Sequence, residues 1–181
     1  MVIARVPRLA APCIAIASMF MANVSVAQTT EISTEYLMTI HIPTDLAQEI
    51  DAGSVVYNFR EGGWVEGPKI KGKLVAPGAD WVEILPSGSS HLDVRSTIRT
   101  DDDALIYLHY GGVFSASEEA FERMLSGEVL TSDDLYCIST PTLRTSSEAY
   151  AWLNHVQGVG KVVEVKDGPD GYIRYDVFIV R

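Results

Sequence analysis

The chain has 181 residues, 47% of them hydrophobic, and 24 acidic against 14 basic residues give a formal charge of −10. That length suits one domain with a sizeable core. The acidity excludes any general attraction to nucleic acid or anionic lipid.

The elements begin with a segment that does not belong to the fold. Arg5 and Arg8 precede a largely apolar run from Leu9 to Ala22, and Val24-Ser25-Val26-Ala27 comes next, with small residues at 25 and 27. This is the pattern of a cleaved signal peptide, with cleavage expected after Ala27. The apolar run is shorter than the roughly 20 residues that span a bilayer. Residues 28–181 are then a single exported domain, periplasmic or secreted, with no membrane attachment. Its charge becomes −12, because the segment removes two arginines and no acids.

Strand patterns dominate the rest. Tyr36–Ile42, Ser54–Phe59, Lys69–Val75 and Trp81–Leu85 read as short strands, the last closed by Pro86-Ser87-Gly88-Ser89. Leu92–Thr100 alternates most cleanly, with Leu92, Val94 and Ile98 on one face and Asp93, Arg95, Thr97 and Arg99 on the other. Asp101-Asp102-Asp103 turns into Ala104–Tyr110. One helix is predicted over Ser117–Leu125, with Ser115 and Glu118 at capping-box spacing and Gly127 as its stop. Leu135–Leu143 is again strand-like. Lys161–Val165 and Tyr172–Val180 form a hairpin across Lys166–Gly171. Eight or nine strands and one short helix favour an all-β, closed antiparallel β-barrel, which leaves no exposed sheet edge.

Gly62-Gly63-Trp64-Val65-Glu66-Gly67-Pro68-Lys69-Ile70-Lys71-Gly72-Lys73-Leu74 is too glycine-rich for a helix. It suits a bent or bulged strand where backbones approach closely. Pro77-Gly78-Ala79 then delivers Asp80 beside Trp81, a carboxylate set against an apolar surface. Such a carboxylate has a raised pKa and serves as general acid or base, unless it only accepts backbone N–H bonds in a turn. Asp93 and Arg95 share one side of their strand. Facing inward, Arg95 is a clamp for an oxyanion or carboxylate, held by Asp93; facing outward, the pair is an ordinary charged surface. Tyr150, Trp152 and Asn154 form an aromatic and polar cluster for orienting a substrate, or a core plug. Tyr107 is a weaker hydrogen-bond donor to a ligand, and His41 and His109 rank lower still.

Cys137 is alone once Cys13 leaves with the signal, so no intramolecular disulfide is expected, and its apolar run makes it a buried thiol. The four histidines are scattered, with no metal-ligand spacing, and neither a metal nor an organic cofactor is implied. No Gly-x-Ser-x-Gly elbow or phosphate-binding glycine loop is present.

The glycine-rich run with Pro77-Gly78-Ala79-Asp80-Trp81, the block Leu92–Tyr107, and Tyr150-Ala151-Trp152-Leu153-Asn154 together resemble the bacterial DUF3237 (UPF0311) family. The blocks keep that family's order from Gly62 to Asn154. The resemblance implies a lipocalin-like barrel with a central cavity, and no established activity. Asp103 stands where the family usually has glycine, and an export signal is unusual for it.

The combination leads to one expectation about function. A cofactor-independent barrel enzyme would transfer a proton on a small carbonyl or aromatic compound, as an isomerase, a lyase or hydratase, or a cyclase. Asp80 would move the proton, Arg95 and Tyr150 would complete the catalytic set, and Trp81, Asp93, Tyr107, Trp152 and Asn154 would bind the substrate. The alternative is a non-catalytic carrier of a small apolar ligand. The expected partner is a small molecule, with self-association left open.

Overall fold

The computed structural model describes residues 30–181; the expected signal segment and its cleavage site lie outside the described residues. The strands are β1 (Thr34–Pro43), β2 (Gln48–Asp51), β3 (Ser54–Asn58), β4 (Trp64–Glu66), β5 (Lys71–Ile84), β6 (Ser90–Thr100), β7 (Leu105–Ala116), β8 (Leu130–Thr131), β9 (Leu135–Ser139), β10 (Thr142–Arg144), β11 (Gly158–Lys166) and β12 (Tyr172–Val180). Helix α1 (Glu118–Leu125) comes after β7, and a 3-10 helix (Glu148–His155) after β10.

Eight strands close on themselves in the order β1-β4-β5-β6-β7-β9-β11-β12, and every pairing is antiparallel. Alternation explains the closure. Met38, Ile40 and Ile42 on β1 are buried while Thr39 and His41 between them are not. Val94, Ile98, Ile106, Leu108, Val177 and Ile179 continue the same inward face around the ring. Fully burying each such side chain contributes roughly 1.5–3 kcal/mol, so the inward phase of every strand is strongly specified. The barrel class expected from the strand count is the fold observed.

Several elements differ from expectation. Lys69–Val75 and Trp81–Leu85 are not two strands around a turn but one 14-residue strand, β5. Pro77 cannot donate to a ladder. The chain absorbs it in a bulge between Val75 and Ala79, and pairing with β6 resumes on both sides. Gly78 allows this: a Cβ there would lie 2.7 Å from Phe59 Cδ2 and 2.8 Å from Ser96 Oγ. The cap of α1 is Ser117 rather than Ser115, because Ser115 is still paired to Tyr136 in the sheet. Ser117 Oγ accepts the Ala120 N–H at 3.1 Å. Leu135–Leu143 is split into β9 and β10 at Thr140-Pro141. Asp103 takes the left-handed φ of +69° that explains glycine at its place, and ion-pairs with Arg99.

The two ends of the barrel are built differently. At the β6–β7 turn, the 3-10 helix inserts Leu153, fully buried, against the core. At the other end α1 buries Ala120 and Met124 on the β7 and β8 side. Opposite, the second half of β5 leaves β4 and pairs with β3, which carries β2 outward as a fully exposed edge. That splayed hairpin makes this end the mouth.

Candidate functional site: a carboxyl at the barrel mouth

The bulge in β5 sets the register of the residues beyond it. Asp80 pairs with Val94 on β6 and with Tyr57 on β3, so all three project to the inner side. Val94 in turn pairs with Tyr110 on β7. Tyr110 packs edge to face on Tyr175 of β12, with ring centroids 5.7 Å apart, and the Tyr175 hydroxyl lies 3.6 Å from Cys137 Sγ. Tyr110, Tyr175 and Cys137 are sealed in the core, whereas Tyr57 and Asp80 keep some access to solvent. One carboxyl therefore stands above a floor of two phenols and a thiol, with a third phenol beside it.

Burial sets the electrostatics. Loss of hydration pushes the Asp80 carboxyl up to about 7. The Asp93 backbone N–H, donated to Asp80 Oδ1 at 3.1 Å, opposes the rise, and the Asp93 charge adds to it. Burial, with the Asp167 and then the Asp80 charge behind it, brings the Tyr57 phenol to about 12, and burial, with a smaller push from the Asp80 charge, brings the Cys137 thiol to about 11. Tyr110 and Tyr175 move well upward, both through burial first, then Tyr110 through the Asp80 charge and Tyr175 through Cys137, Tyr110 and Asp80. Near neutral pH Asp80 is thus shared between its two protonation states among groups that keep their protons. Such a carboxyl can take up or release a proton, and a neutral phenol can donate a hydrogen bond to an oxygen.

The other residues expected at the site are placed elsewhere. Arg95 is half exposed on the outer wall, because its neighbours Val94 and Ser96 fill the inner phase of β6. It pairs with Asp93 at 3.1 Å, and His109 Nε2 lies 3.3 Å from the same carboxylate. The charged-surface reading of that pair is the one realised. Asp93 touches the site only through its backbone N–H. Tyr107 stacks on His109 on the outer wall, and Trp81 is 49% exposed there. Tyr150, Trp152 and Asn154 lie at the closed end. Six residues along β6 separate Val94 from Thr100, about 20 Å at the rise of a strand. Tyr150 donates to Asp102 beside that turn. Asn154 holds the Thr145 backbone with two 2.9 Å hydrogen bonds, and Trp152 lies beneath the Lys69 ammonium. These three form the plug. His41 stacks with Trp64 and Tyr172 on the outer wall.

Sequence reasoning passes over Tyr57, Tyr110 and Tyr175, although phase betrays them. Tyr57 is in step with Val55 and Phe59, Tyr110 with Ile106 and Leu108, and Tyr175 with Val177 and Ile179. Among the described residues no three of His, Cys, Asp and Glu converge as a metal-holding group. Two surface depressions, about 610 and about 400 Å³, lie off the mouth. The larger runs over β7, β9 and the Ser132–Asp134 loop, and of the cluster only Cys137 borders it. Chemistry rather than concavity singles out Asp80.

A family model described as a protein of unknown function (DUF3237) matches residues 32–180. The chain belongs to the DUF3237 family. A UPF0311 protein of Clostridium acetobutylicum is 35% identical over 95 residues, which span 52% of this chain and 60% of that relative. A conserved protein of unknown function from Rhodopseudomonas palustris has a solved structure with TM-score 0.76 and 24% identity, covering 84% of this chain and 99% of that one. An enzyme from Penicillium herquei shares the fold at TM-score 0.57 and 17% identity, covering 83% and 98% of the two chains. The matched span of this DUF3237 barrel contains the glycine-rich, Asp80-containing and Tyr150-containing blocks.

Proposed function

We propose that this DUF3237 barrel is a cofactor-independent enzyme that transfers a proton on a small carbonyl or aromatic compound bound at its mouth. The observation that carries the reading is Asp80, a carboxyl brought to about 7 by burial and aimed at the inner side of the barrel. A base is most effective when its pKa lies near the working pH. Tyr57 supplies a protonated phenol on the adjacent strand, and hydrogen bonding to a developing enolate oxygen lowers the barrier for removing the neighbouring proton. Arg95 has no part in this step, since its guanidinium is on the other side of the sheet. The existence of an enzyme on a similar fold supports only that the architecture admits catalysis. The arginines before an apolar run, with small residues at 25 and 27 after it, support export from the cytoplasm.

The test is proton exchange. Wild-type protein and Asp80→Asn are incubated with pooled ketones and phenols in deuterated water, and carbon-bound deuterium is measured by mass spectrometry. Wild type is expected to label or convert a ligand, and Asp80→Asn to do so about 10²–10⁴-fold more slowly. Ligands always recovered unlabelled would make the protein a carrier, and unchanged turnover in the variant would remove Asp80 from the mechanism.

A further inference from the structure

The inner surface of the barrel has a charge pattern that selects its ligand. No lysine, arginine or histidine of the described residues occupies an inward strand position. Arg60, whose Nε is buried, sits in the turn after β3 and is directed to the Gly171 carbonyl and toward Asp45. Arg95 and His109 are spent on Asp93 outside the wall, and Arg174 on Glu164. The charged groups that bear on Asp80 and Tyr57 are therefore acids, Asp93 on the first and Asp167 and Glu49 on the second. Asp93 on β6 is the nearest, and Tyr57, Tyr110, Cys137 and Tyr175 complete its titratable surroundings from β3, β7, β9 and β12.

We propose that the mouth takes uncharged aromatic ligands carrying a ketone or phenol oxygen and rejects carboxylates and phosphates. This deepens the reading of Asp80 as part of a ligand site and rests on it. An anion brought to this place would lose its hydration and find no cation in return. It would instead face the Asp80 carboxylate in its ionised form. An uncharged ketone or phenol escapes both costs. Its oxygen meets the Tyr57 hydroxyl, and a ligand hydroxyl can donate to Asp80. The half-buried Leu92, Phe114 and Ile173 lie on the inner phase between these groups and the rim, one or two inward positions beyond Val94, Tyr110 and Tyr175. They offer apolar and aromatic area to a ring.

The experiment compares probes matched in shape. Binding of 2-acetylnaphthalene, 2-naphthol and 2-naphthoate to wild-type protein is measured by isothermal titration calorimetry at pH 5.5 and at pH 8.5. The two uncharged probes are expected to bind at both values. The carboxylate is expected at least tenfold more weakly at pH 8.5, with a smaller gap at pH 5.5, where Asp80 holds its proton. Asp80→Asn should narrow the gap at pH 8.5 without closing it, since no cation is added. Naphthoate binding as tightly as naphthol at pH 8.5, or no binding by either uncharged probe, would overturn the proposal. Selective binding with no proton exchange on any ligand would leave the selectivity standing and remove only the catalytic reading.

Discussion

Asp80 is the residue on which burial and chemistry conflict, and the conflict is measurable as stability. Its carboxyl moves from 3.8 to about 7 on folding. Below about pH 4 both folded and unfolded chains hold the proton, and nothing is lost. Between about pH 4 and pH 7 the unfolded chain ionises while the folded one does not. Stability must fall across that window and level off above it, by at most about 4 kcal/mol. Asparagine stays neutral and keeps an oxygen for the Asp93 N–H. Asp80→Asn should therefore gain about 2–4 kcal/mol over wild type in urea unfolding at pH 8, and little at pH 4. A variant no more stable at pH 8 than at pH 4, relative to wild type, would show that the carboxyl is not desolvated. Cys137, by contrast, is held protonated and sealed beside Tyr175, which suits a packing role.

β5 is the element that turns sequence into site. Its first half pairs with β4 and β6, its second with β3 and β6, and the bulge at Ala76–Gly78 joins them. Without the two extra residues Asp80 would stay on the inward phase but lie opposite Leu92 instead of Val94, one inward position nearer the rim. Gly78 is the contact that lets the bulge seat against Phe59 and Ser96. Gly78→Val is expected to destabilise by about 1–3 kcal/mol through overpacking, and to return the Asp80 titration toward ordinary carboxylate values as the strand shifts. Calorimetric unfolding and a pH titration of the variant check both. Stability and titration unchanged from wild type would separate Gly78 from the placement of Asp80. The glycines and the Pro77-Gly78-Ala79 run made a bend legible. They did not reveal that pairing resumes beyond it, because the partner there is β3, which β4 separates from β5 in the sequence.

At the scale of the whole molecule, alternation made the barrel legible, since an inward phase repeats from β1 to β12. The candidate site was legible only at Asp80. The charges of Asp93 and Arg95 gave no sign of which side was inside; that depends on the burial of Val94 and Ser96 on the same strand. Tyr150, Trp152 and Asn154 look like ligand groups in sequence. They serve instead to close the far end, where Asn154 satisfies the Thr145 backbone and Leu153 is buried. The tyrosines beneath Asp80 were hidden because aromatic residues in phase with Ile and Leu read as core. Closure of the sheet gathers them into the candidate site by bringing β7 and β12 within reach of β5.

The most direct measurement is a carbon-13 NMR titration of the aspartate carboxyls in wild-type protein, with Asp80 assigned by the signal lost in Asp80→Asn. A midpoint near 7 is predicted for Asp80. A midpoint near 4 would show a hydrated, permanently ionised carboxylate, and would contradict the account of the mouth as a proton-transfer site.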